Sequence, residues 1–586
     1  MYEMMKISCV VPAYNEEENL EELIRQLIPV LESHDETKDY EIILVNDNST
    51  DNTPSIIDAL ANENPRIKPV HRAGTPGFGN AIKEGFKHAE GDIIIPVMGD
   101  LSDDPKDIPK LVRKIEEGYD IAYGSRFIKG GSVKDYPTVK MLANRIFNNT
   151  VRFLFGIPHR DVTNAFKAYK REVLDAIGIE NMESEGFDLT VELPLKAHIL
   201  GFKSVEVPVS WYGRKRGEAK LKLSKNALVY GKRLLKLFFW GNLVALRDLF
   251  GSVVKGSRIG ILGAIFLGLL ILAGLFTFSG FSEVFGILRT VSLYWVLLSC
   301  LAILLTFILR TWRWSVILRS AGYVASRGMI FKCIMFGWLL NYLLPARVGD
   351  IARGVALKTT EGKPLGMSLS TIVLERAFDM LTLAFLLVLP VILFYQKHLL
   401  WLEVLSIGVA VALISALFII YKFESHIVGV LKKFSSKKNN YTLDTTKIER
   451  SIRLLKEGLD EVRENKAAIA LCFALSVLIW FFEISSIFFA AKAIGFDIPF
   501  LLATVSGVAA FITQAIPVTP AGIGVHEASI TGILALFGIS TSVGVSIALV
   551  DHFARGLIIY ILGLISAVHI GFASREYFKD KEEGED

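Results

Sequence analysis

Three carboxylates crowd into five positions within PVMGDLSDDP, residues 96–105. Asp100, Asp103 and Asp104 follow an apolar run that is typical of the end of a buried strand. A cluster of this kind binds a divalent metal, caps a helix or lies in solvent without a role. Because Asp103 and Asp104 precede a proline, a residue favoured at the start of a helix, we expect capping at Asp104, and both roles stay open for Asp103.

Four polar motifs follow apolar, β-rich runs in the first part of the chain: PAYNEEENL, NDNSTDNT, HRAGTPGFGNA and MGDLSDDP. The alternation of such runs with segments of helical periodicity predicts an α/β domain with a mostly parallel sheet. Ligands of these sheets bind beyond the carboxyl ends of the strands, where the four motifs lie. The predicted strands cover 7–11, 41–45, 67–70, 92–97 and 121–123, and the predicted helices cover 17–33, 51–63, 79–89 and 106–118.

The second part of the chain is far more apolar than the first. The 586 residues are 52% hydrophobic, and the uncharged runs concentrate between 253 and 575. Each run is about long enough to cross a hydrocarbon core of ~30 Å, so we expect a soluble domain followed by an all-α polytopic membrane domain. The longest runs are 259–279, 290–309, 404–421 and 528–550.

Bulk charge and cysteine usage narrow the function classes. A net charge of +4 gives no indication of nucleic-acid binding, and we expect none. Four cysteines without metal-ligand spacing predict no disulfide framework. The N-terminus lacks the layout of a signal peptide, so we expect the soluble domain in the cytosol, while the oligomeric state stays unknown.

Seven motifs in order resemble the family 2 GT-A glycosyltransferases, specifically the dolichol- or polyprenyl-phosphate hexose (mannose) synthases. They are VVPAYNEEENL, ILVNDNSTDNT, GFGNAIKEGF, VMGDLSDDP, YGSRFIKGG, DVTNAFKAYKREVL and GRKRGEAKL, within residues 1–225. The resemblance implies a Rossmann-like GT-A domain. It also implies inverting transfer of a hexose, mannose or glucose, from GDP-mannose or UDP-glucose to dolichyl or polyprenyl phosphate.

The same resemblance implies a divalent cation, Mg²⁺ or Mn²⁺, at the nucleotide diphosphate. Asp100 takes the second position of the family's D-x-D motif and Met98 takes the first, which predicts a site one carboxylate poorer. The implied metal ligands are Asp100, Ser102 and Asp103. The implied nucleotide-sugar contacts are Pro12, Tyr14, Glu16, Asn46, Asp47, Arg72, Met98 and Gly99. The structural alternative for Asp47 and its neighbours is a turn and a cap before helix 51–63.

A lipid phosphate is already ionised, so the acceptor needs cations that orient it rather than a strong base. Arg126 and Lys140 match the family's phosphate-binding positions, and Asn144 goes with them. Arg214 and Lys220 match a mobile loop that closes over the site. Asp100, Arg126, Lys140 and Arg214 are thus the predicted catalytic set, although Arg126 taken alone is more typical of a surface salt bridge.

The segment 226–252 mixes Lys and Arg with Leu, Phe and Trp, which favours an interfacial amphipathic helix over a core helix of the soluble domain. The polytopic domain then runs over 253–575, and a charged cytoplasmic tail occupies 576–586. Eleven Lys or Arg in 422–466 place that loop in the cytoplasm. Parity of the crossings then requires two re-entrant hairpins, 329–365 and 500–541.

The hairpins enter from opposite faces and are followed by charged spans, which is typical of a transporter-like inverted repeat. Ionisable groups are costly in a membrane, so they usually line a path or pair with one another. The arginines are candidate receivers of a lipid phosphate, and pairing that only stabilises the bundle is the alternative. The predicted polar path comprises Arg347, Asp350, Arg353, Glu375, Arg376, Asp379, Glu527, Asp551 and Arg555.

NYLLPARVGDIARG, TIVLERAFD, PVTPAGIGVHEA and LVDHFARGLIIYILG resemble the membrane region of lysylphosphatidylglycerol synthases and related flippase-like proteins. The combination of both halves is similar to archaeal dolichol-phosphate hexosyltransferases of protein N-glycosylation. We therefore expect a multi-pass membrane enzyme with a cytoplasmic catalytic domain, whose membrane domain binds the lipid and, as a further hypothesis, flips the product. The alternative is a lipid-linked sugar flippase whose glycosyltransferase domain is a non-catalytic sensor.

Overall fold

The computed structural model describes residues 5–34, 37, 39–214, 223–256, 258–344, 347–394, 404, 411, 465–514 and 519–583. The predicted run 404–421, the basic loop 422–466 and Lys220 therefore lie wholly or almost wholly outside the described residues. The chain divides into two compact units, Met1–Arg247 and Asp248–Asp586. We call them the N-terminal unit and the membrane unit.

A seven-stranded sheet forms the centre of the N-terminal unit, in the order β3-β2-β1-β4-β7-β5-β8. All pairs are parallel except those of β7, which runs antiparallel to β4 and β5. The predicted mostly parallel α/β sheet is confirmed. The strands are β1 (Ile7–Ala13), β2 (Tyr40–Asn46), β3 (Ile67–His71), β4 (Ile93–Pro96), β5 (Ile121–Ser125), β6 (Ser132–Lys134), β7 (Lys167–Lys170), β8 (Ser204–Pro208) and β9 (Ser210–Tyr212).

Helices cover the sheet because their apolar residues recur on one face. In α4, Ile108, Leu111, Val112 and Ile115 follow helical spacing and are all buried. Strand β2 is buried along its whole length, as expected for a parallel strand covered on both faces. The helices are α1 (Leu20–Ser33), α2 (Thr53–Glu63), α3 (Phe78–His88), α4 (Ile108–Glu116), α5 (Thr138–Phe155), α6 (Arg171–Ile177), α7 (Leu189–Leu200) and α8 (Leu223–Gly256), the last of which continues past the unit boundary.

The described part of the membrane unit is helical. Its helices are α9 (Arg258–Ser279), α10 (Phe281–Leu288), α11 (Leu293–Ser320), α12 (Arg327–Leu343), α13 (Val348–Glu361), α14 (Leu365–Phe394), α15 (Lys466–Ala493), α16 (Phe500–Gln514), α17 (Val525–Leu536) and α18 (Thr541–Glu583). The predicted all-α character of this half is confirmed for these residues.

Three helices of the described chain are long and apolar enough to cross a membrane: Leu293–Ser320, Lys466–Ala493 and Thr541–Gly571. A fourth candidate is the bent pair Gly263–Ser279 and Phe281–Leu288, whose axes differ by 92°. The predicted span 259–279 thus qualifies only together with α10. The uncharged run 528–550 is not one span, because left-handed Gly538 interrupts it between α17 and α18.

Two pairs of consecutive helices are each separated by a short break, and within each pair the two helices pack on each other. The first helix pair is α12 and α13, and the second helix pair is α16 and α17. In the first pair, a Cβ on Gly349 would lie 1.8 Å from the carbonyl oxygen of Gly337, so this close approach requires glycine. Both pairs fall at the predicted hairpins, while their re-entry into a membrane remains a proposal.

Candidate active site and a charge network in the membrane unit

The carboxyl ends of β3, β2, β1 and β4 meet at one edge of the sheet. The parallel register aligns Ala13 with Asn46 and Asn46 with His71. Three non-glycine residues just beyond these strands have left-handed backbones: Asn15 (φ 52°), Asn48 (φ 58°) and Leu101 (φ 60°). Such conformations cost roughly 1–3 kcal/mol each and concentrate at ligand sites. The edge predicted from the motifs is therefore the candidate active site.

Asp47 organises the loops after β2 and β3. Its carboxylate forms an ion pair with Arg72 and accepts a hydrogen bond from the Gly77 backbone N–H at 2.6 Å. Gly77 and Gly79 allow α3 to approach residues 184–186, since a Cβ on either would lie within 2.9 Å of that backbone. The glycines therefore serve packing, and Arg72 is already held by a carboxylate at the sheet edge.

Arg214 joins two carboxylates that come from different strand ends. It forms an ion pair with Glu16, and its Nε lies 3.8 Å from Oδ2 of Asp100. Gly99 allows the loop after β4 to pack closely against the end of β1, because a Cβ there would lie 2.9 Å from the Pro12 carbonyl oxygen. Glu16, Asp100 and Arg214, which the sequence analysis assigned to the site, are thus neighbours.

The acidic cluster after β4 divides into three environments. Asp100 is partly exposed, and its Oδ1 accepts a hydrogen bond from Ser102 N at 3.2 Å. Asp103 is buried and accepts one from Met98 N at 3.1 Å, and burial raises the pKa of its carboxyl to about 7. Asp104 caps the short 3-10 turn that precedes α4 by accepting from Lys106 N at 3.1 Å, which confirms the predicted cap.

Few side chains at this edge of the sheet could coordinate a divalent cation. The described residues contain no group of three or more His, Cys, Asp or Glu side chains arranged to hold a metal. Asp100 alone of the three aspartates combines partial exposure with a position at the strand ends. Mg²⁺ commonly takes one or two carboxylates, with substrate phosphates and water completing its octahedron, so Asp100 fits such an ion. Ser102 and Asp103 are buried, and their roles as ligands stay predictions.

Arg126 is held in a buried fork. Its Nε and Nη2 donate to the two oxygens of Asp161 at 2.7 and 2.8 Å, which leaves Nη1 without a hydrogen-bond acceptor among the described residues. The rings of Tyr136 and Trp211 lie 5.9 Å from the guanidinium carbon. The ion pair considered as an alternative exists, but it is buried rather than superficial. Asp161 was missed, although it stands in the DVTN motif.

One face of α5 points to the same loop. Asn144 Nδ2 donates to Thr163 Oγ1 at 2.8 Å, and Asn148 Oδ1 accepts from Val162 N at 2.7 Å. Lys140 precedes Asn144 by one turn and therefore shares this face. It makes no hydrogen bond or ion pair with a described residue. The loop that holds Arg126 is thus fixed to the helix that carries Lys140.

Lys167 is a second buried cation near this loop and was also missed. Its Nζ donates to the Asn164 carbonyl and lies 5.3 Å from the centre of the Tyr123 ring. Burial lowers the pKa of its ammonium group to about 7. The strand KAYK has a lysine at each end, and the sequence alone does not show that Lys167 is buried while Lys170 is partly exposed.

Exposed apolar side chains cover one surface of α5 and α8, which we call the apolar face. The two helices touch through Phe147–Tyr230 and Phe155–Phe238, with ring centroids 5.3 and 6.0 Å apart. Arg233 fixes α8 to the unit by ion pairs with Glu183 and Asp188. The helix is therefore both packed and amphipathic. The exposed residues are Val139, Leu142, Ile146, Phe153, Leu228, Val229, Leu235, Phe239 and Leu243.

Five arginines and five carboxylates form a connected network in the membrane unit. Each arginine lies within 4.0 Å of at least one carboxylate, as in Arg313–Asp379 (2.6 Å) and Arg353–Glu375 (2.7 Å). The arginines are Arg310, Arg313, Arg353, Arg376 and Arg555, and the carboxylates are Asp350, Glu375, Asp379, Glu483 and Asp551. The network balances its own formal charge.

Glu527 and Arg347, the remaining residues of the predicted polar path, are not part of this network. Glu527 pairs with His552 at 2.6 Å and accepts from Gly524 N at 2.8 Å. Arg347 has no carboxylate within 4.0 Å among the described residues. Arg310, Arg313 and Glu483 were missed. The one signal for Glu483 was a single charge in the apolar run of α15, where an ionisable residue is expensive without a partner.

Family models match both halves of the chain. The model described as "Glycosyl transferase family 2" matches residues 8–178, and the model described as "Lysylphosphatidylglycerol synthase TM region" matches residues 265–563. The second match covers more than half of the chain.

Characterised relatives match one or both halves. "Glycosyltransferase AglD" of Haloferax volcanii is 27% identical over 97% of this chain and 93% of its own length. "Dolichol-phosphate mannosyltransferase" of Pyrococcus furiosus is 33% identical over 44% of this chain and 69% of its own length. "Polyprenol monophosphomannose synthase" of Mycolicibacterium smegmatis is 30% identical over 40% of this chain and 85% of its own length.

Proposed function

Because this chain belongs to the family 2 glycosyltransferases and carries the membrane region of lysylphosphatidylglycerol synthases, we propose that it is a polyprenyl-phosphate hexosyltransferase. It transfers mannose or glucose from a nucleotide sugar to dolichyl or another polyprenyl phosphate at the cytoplasmic face of the membrane. The similarity to mannosyltransferases favours GDP-mannose as donor. The observation that carries the proposal is the placement of a carboxylate edge, a buried arginine fork and an apolar face within one unit.

The donor binds at the edge where β1, β2 and β4 end. Asn46 and Asp47 take the nucleoside, together with Pro12 and Tyr14. Asp100 would hold a divalent cation, and such an ion would supply positive charge against the diphosphate. Arg214 now spans Glu16 and Asp100, so it is positioned to exchange these carboxylates for diphosphate oxygens when the donor arrives.

The acceptor phosphate binds between Arg126 and Lys140. The fork with Asp161 fixes the guanidinium plane while Nη1 stays available, and Lys140 adds a charge from the same side of α5. A phosphate oxygen then attacks the anomeric carbon as the bond to the nucleoside diphosphate breaks. The phosphate is already ionised, so no proton needs to be removed, and a single displacement inverts the anomeric configuration.

The apolar face supports delivery of a lipid acceptor to this site. Leu142 and Ile146 are each more than half exposed on α5, the helix that carries Lys140. The face of α5 and α8 therefore lies against the cytoplasmic leaflet. The proposed boundaries are 1–225 for the catalytic domain, 226–252 for the interfacial helix, 253–575 for the membrane domain and 576–586 for the tail, with both helix pairs re-entrant.

A transfer assay with the purified chain tests the proposal. Labelled GDP-mannose or UDP-glucose is offered with polyprenyl phosphate and Mg²⁺ or Mn²⁺, and the label is followed into the lipid phase. We expect one donor to give a lipid-linked hexose, and no product when polyprenol replaces polyprenyl phosphate. Failure with all donors and metals would remove the proposal.

Met98 supports a second candidate function, a flippase with a non-catalytic sugar-binding domain. The site has one carboxylate fewer than the family motif, and Arg214 already neutralises part of Asp100. The substitution Asp100→Asn separates the two functions, with Asp104→Asn as its matched control on the capped turn. For the enzyme we expect D100N to lower kcat by roughly 10²–10³-fold and D104N to change it less than threefold. Absence of transfer by the wild type, together with lipid translocation that D100N leaves unchanged, would favour the flippase.

A further inference from the structure

A recess lies inside the membrane unit between the two helix pairs. The recess is open to its surroundings, and residues of both helix pairs line it. Asn341, Tyr342 and Arg347 line it from the first helix pair, and Phe511, Gln514 and Ala521 line it from the second.

Arg347 brings a positive charge that contacts no carboxylate among the described residues, although Asp350 and Asp379 act on it from beyond 4.0 Å. The neighbouring network contains as many carboxylates as arginines, and none of those carboxylates lies within 4.0 Å of Arg347. Among the described residues, Arg347 donates to the Gln514 carbonyl oxygen at 3.0 Å and lies 5.7 Å from the centre of the Phe511 ring. A partly buried guanidinium without a contacting counter-ion is costly in a membrane protein, so an anion from outside would stabilise it.

Further donors of the recess lack acceptors. The side-chain oxygen of Asn341 is used, because it accepts from Gly349 N at 2.8 Å, whereas its amide N–H₂ has no acceptor among the described residues. The Tyr342 hydroxyl likewise makes no hydrogen bond to a described residue. An oxyanion with several acceptor oxygens would satisfy Arg347, Asn341 and Tyr342 together.

Backbone conformation gives an independent indication of a ligand site. Two non-glycine residues in the described membrane unit have left-handed backbones, Arg347 (φ 52°) and Ala521 (φ 55°), and both line the recess. The same signature marks the strand ends of the active site at Asn15, Asn48 and Leu101. Strain of this kind persists where the surroundings hold a functional geometry.

We propose that the recess between the two helix pairs binds a phosphate group, with Arg347 as its principal cation. Arg376 also lines the recess, but it already contacts Asp350 and Asp379 and therefore adds less net charge. The phosphate belongs to a membrane lipid or to a soluble phosphate. Only the choice of polyprenyl phosphate as the lipid probe rests on the proposed function.

Photolabelling of the purified full chain tests the site. A photoreactive polyprenyl phosphate is cross-linked in nanodiscs. The labelled residues are then mapped, which separates the recess (338–344, Arg347, 511–514 and 519–525) from the transferase site. We expect Arg347→Gln to reduce recess labelling at least tenfold and Arg347→Lys to reduce it less. Arg319→Gln, which removes an exposed arginine at the end of α11, should leave it unchanged.

A second variant tests the site in case R347Q does not fold. Asn341→Asp keeps the acceptor for Gly349 N and supplies an internal carboxylate near Arg347, so it should abolish labelling without destabilising the chain. Unchanged recess labelling in folded R347Q and N341D, or equal labelling by photoreactive polyprenol, would overturn the site. Protection by millimolar inorganic phosphate would identify a soluble source, and protection only by polyprenyl phosphate a lipid source. Transfer activity of the wild type is measured in parallel. Failure of the proposed transferase function can then be distinguished from failure of phosphate binding in the recess.

Discussion

Asp100, Asp103 and Asp104 make different contacts because they differ in burial. Asp100 faces the strand ends, Asp103 supports the Met98 backbone from inside, and Asp104 caps a turn. From residue type and spacing, all three aspartates were candidate metal ligands. The proline that follows Asp104 indicated its role as a cap. Residue type and spacing could not show that Asp103 points inward, since that orientation depends on the contact of its loop with Trp211.

Burial of Asp103 predicts a pH-dependent stability. Its pKa rises from 3.8 to about 7 on folding, so the folded chain keeps a proton that the unfolded chain releases over that interval. Its contribution to the free energy of unfolding is therefore greatest below about pH 4 and falls until about pH 7. Asp103→Asn removes the charge and keeps an acceptor for Met98 N. We expect its gain in stability to be roughly 2 kcal/mol larger at pH 8 than at pH 5.

Thermal unfolding of the full chain at both pH values measures this difference, with Asp104→Asn as the control. This control removes a neighbouring carboxylate of the same cluster that is partly exposed rather than buried. A D103N gain that is the same at pH 5 and pH 8 would show that Asp103 ionises normally in the folded chain.

The fork at Arg126 predicts a selective effect on the lipid acceptor. Arg126→Lys keeps the charge but cannot hold both oxygens of Asp161, so the cation loses its fixed direction. We expect the KM for polyprenyl phosphate to rise about tenfold while the KM for the nucleotide sugar stays within twofold. Initial rates against each substrate measure both constants. Arg145→Lys, on the exposed side of α5, should change neither, and equal effects on both substrates would argue against a role at the acceptor.

At the scale of elements, α5 and α8 predict how the acceptor reaches the site. Leu142→Gln with Ile146→Gln makes the apolar face polar without touching the core, because both side chains are exposed. We expect the KM for long-chain polyprenyl phosphate in vesicles to rise about threefold to tenfold, with unchanged Tm. Leu200→Gln, an exposed leucine on α7, is the control. If the double variant and L200Q behave alike, the face does not contact the membrane.

The elements themselves were largely predictable in the N-terminal unit. β1 to β5 and α1 to α4 follow period and turn residues, so local sequence determines them. β7 was not predicted, because its four residues run antiparallel between β4 and β5 and only tertiary pairing defines them. In the membrane unit the breaks at both helix pairs were predictable from Pro and Gly. The partners of Arg310 and Glu483 were not, because they come from distant helices.

At the scale of the whole molecule, the chain combines a glycosyltransferase unit with a helical membrane unit, and each contains its own cluster of left-handed residues at a candidate site. In the N-terminal unit these residues surround carboxylates, which suits a cation and a leaving diphosphate. In the membrane unit they are Ala521 and Arg347 itself, an arginine with no carboxylate within 4.0 Å among the described residues, which suits an anion. Both sites would thus bind phosphate groups, the first with the help of a divalent cation and the second through Arg347.

The product of the purified chain tests the central claim most directly. Nucleoside diphosphate release, the mass of the lipid product and its anomeric configuration by NMR are measured in one reaction with the active donor and polyprenyl phosphate. We predict one hexosyl phospholipid per nucleoside diphosphate, with inverted configuration, and none after chelation of divalent cations. Release of nucleoside diphosphate with free hexose and no lipid product, or a product with retained configuration, would contradict the account.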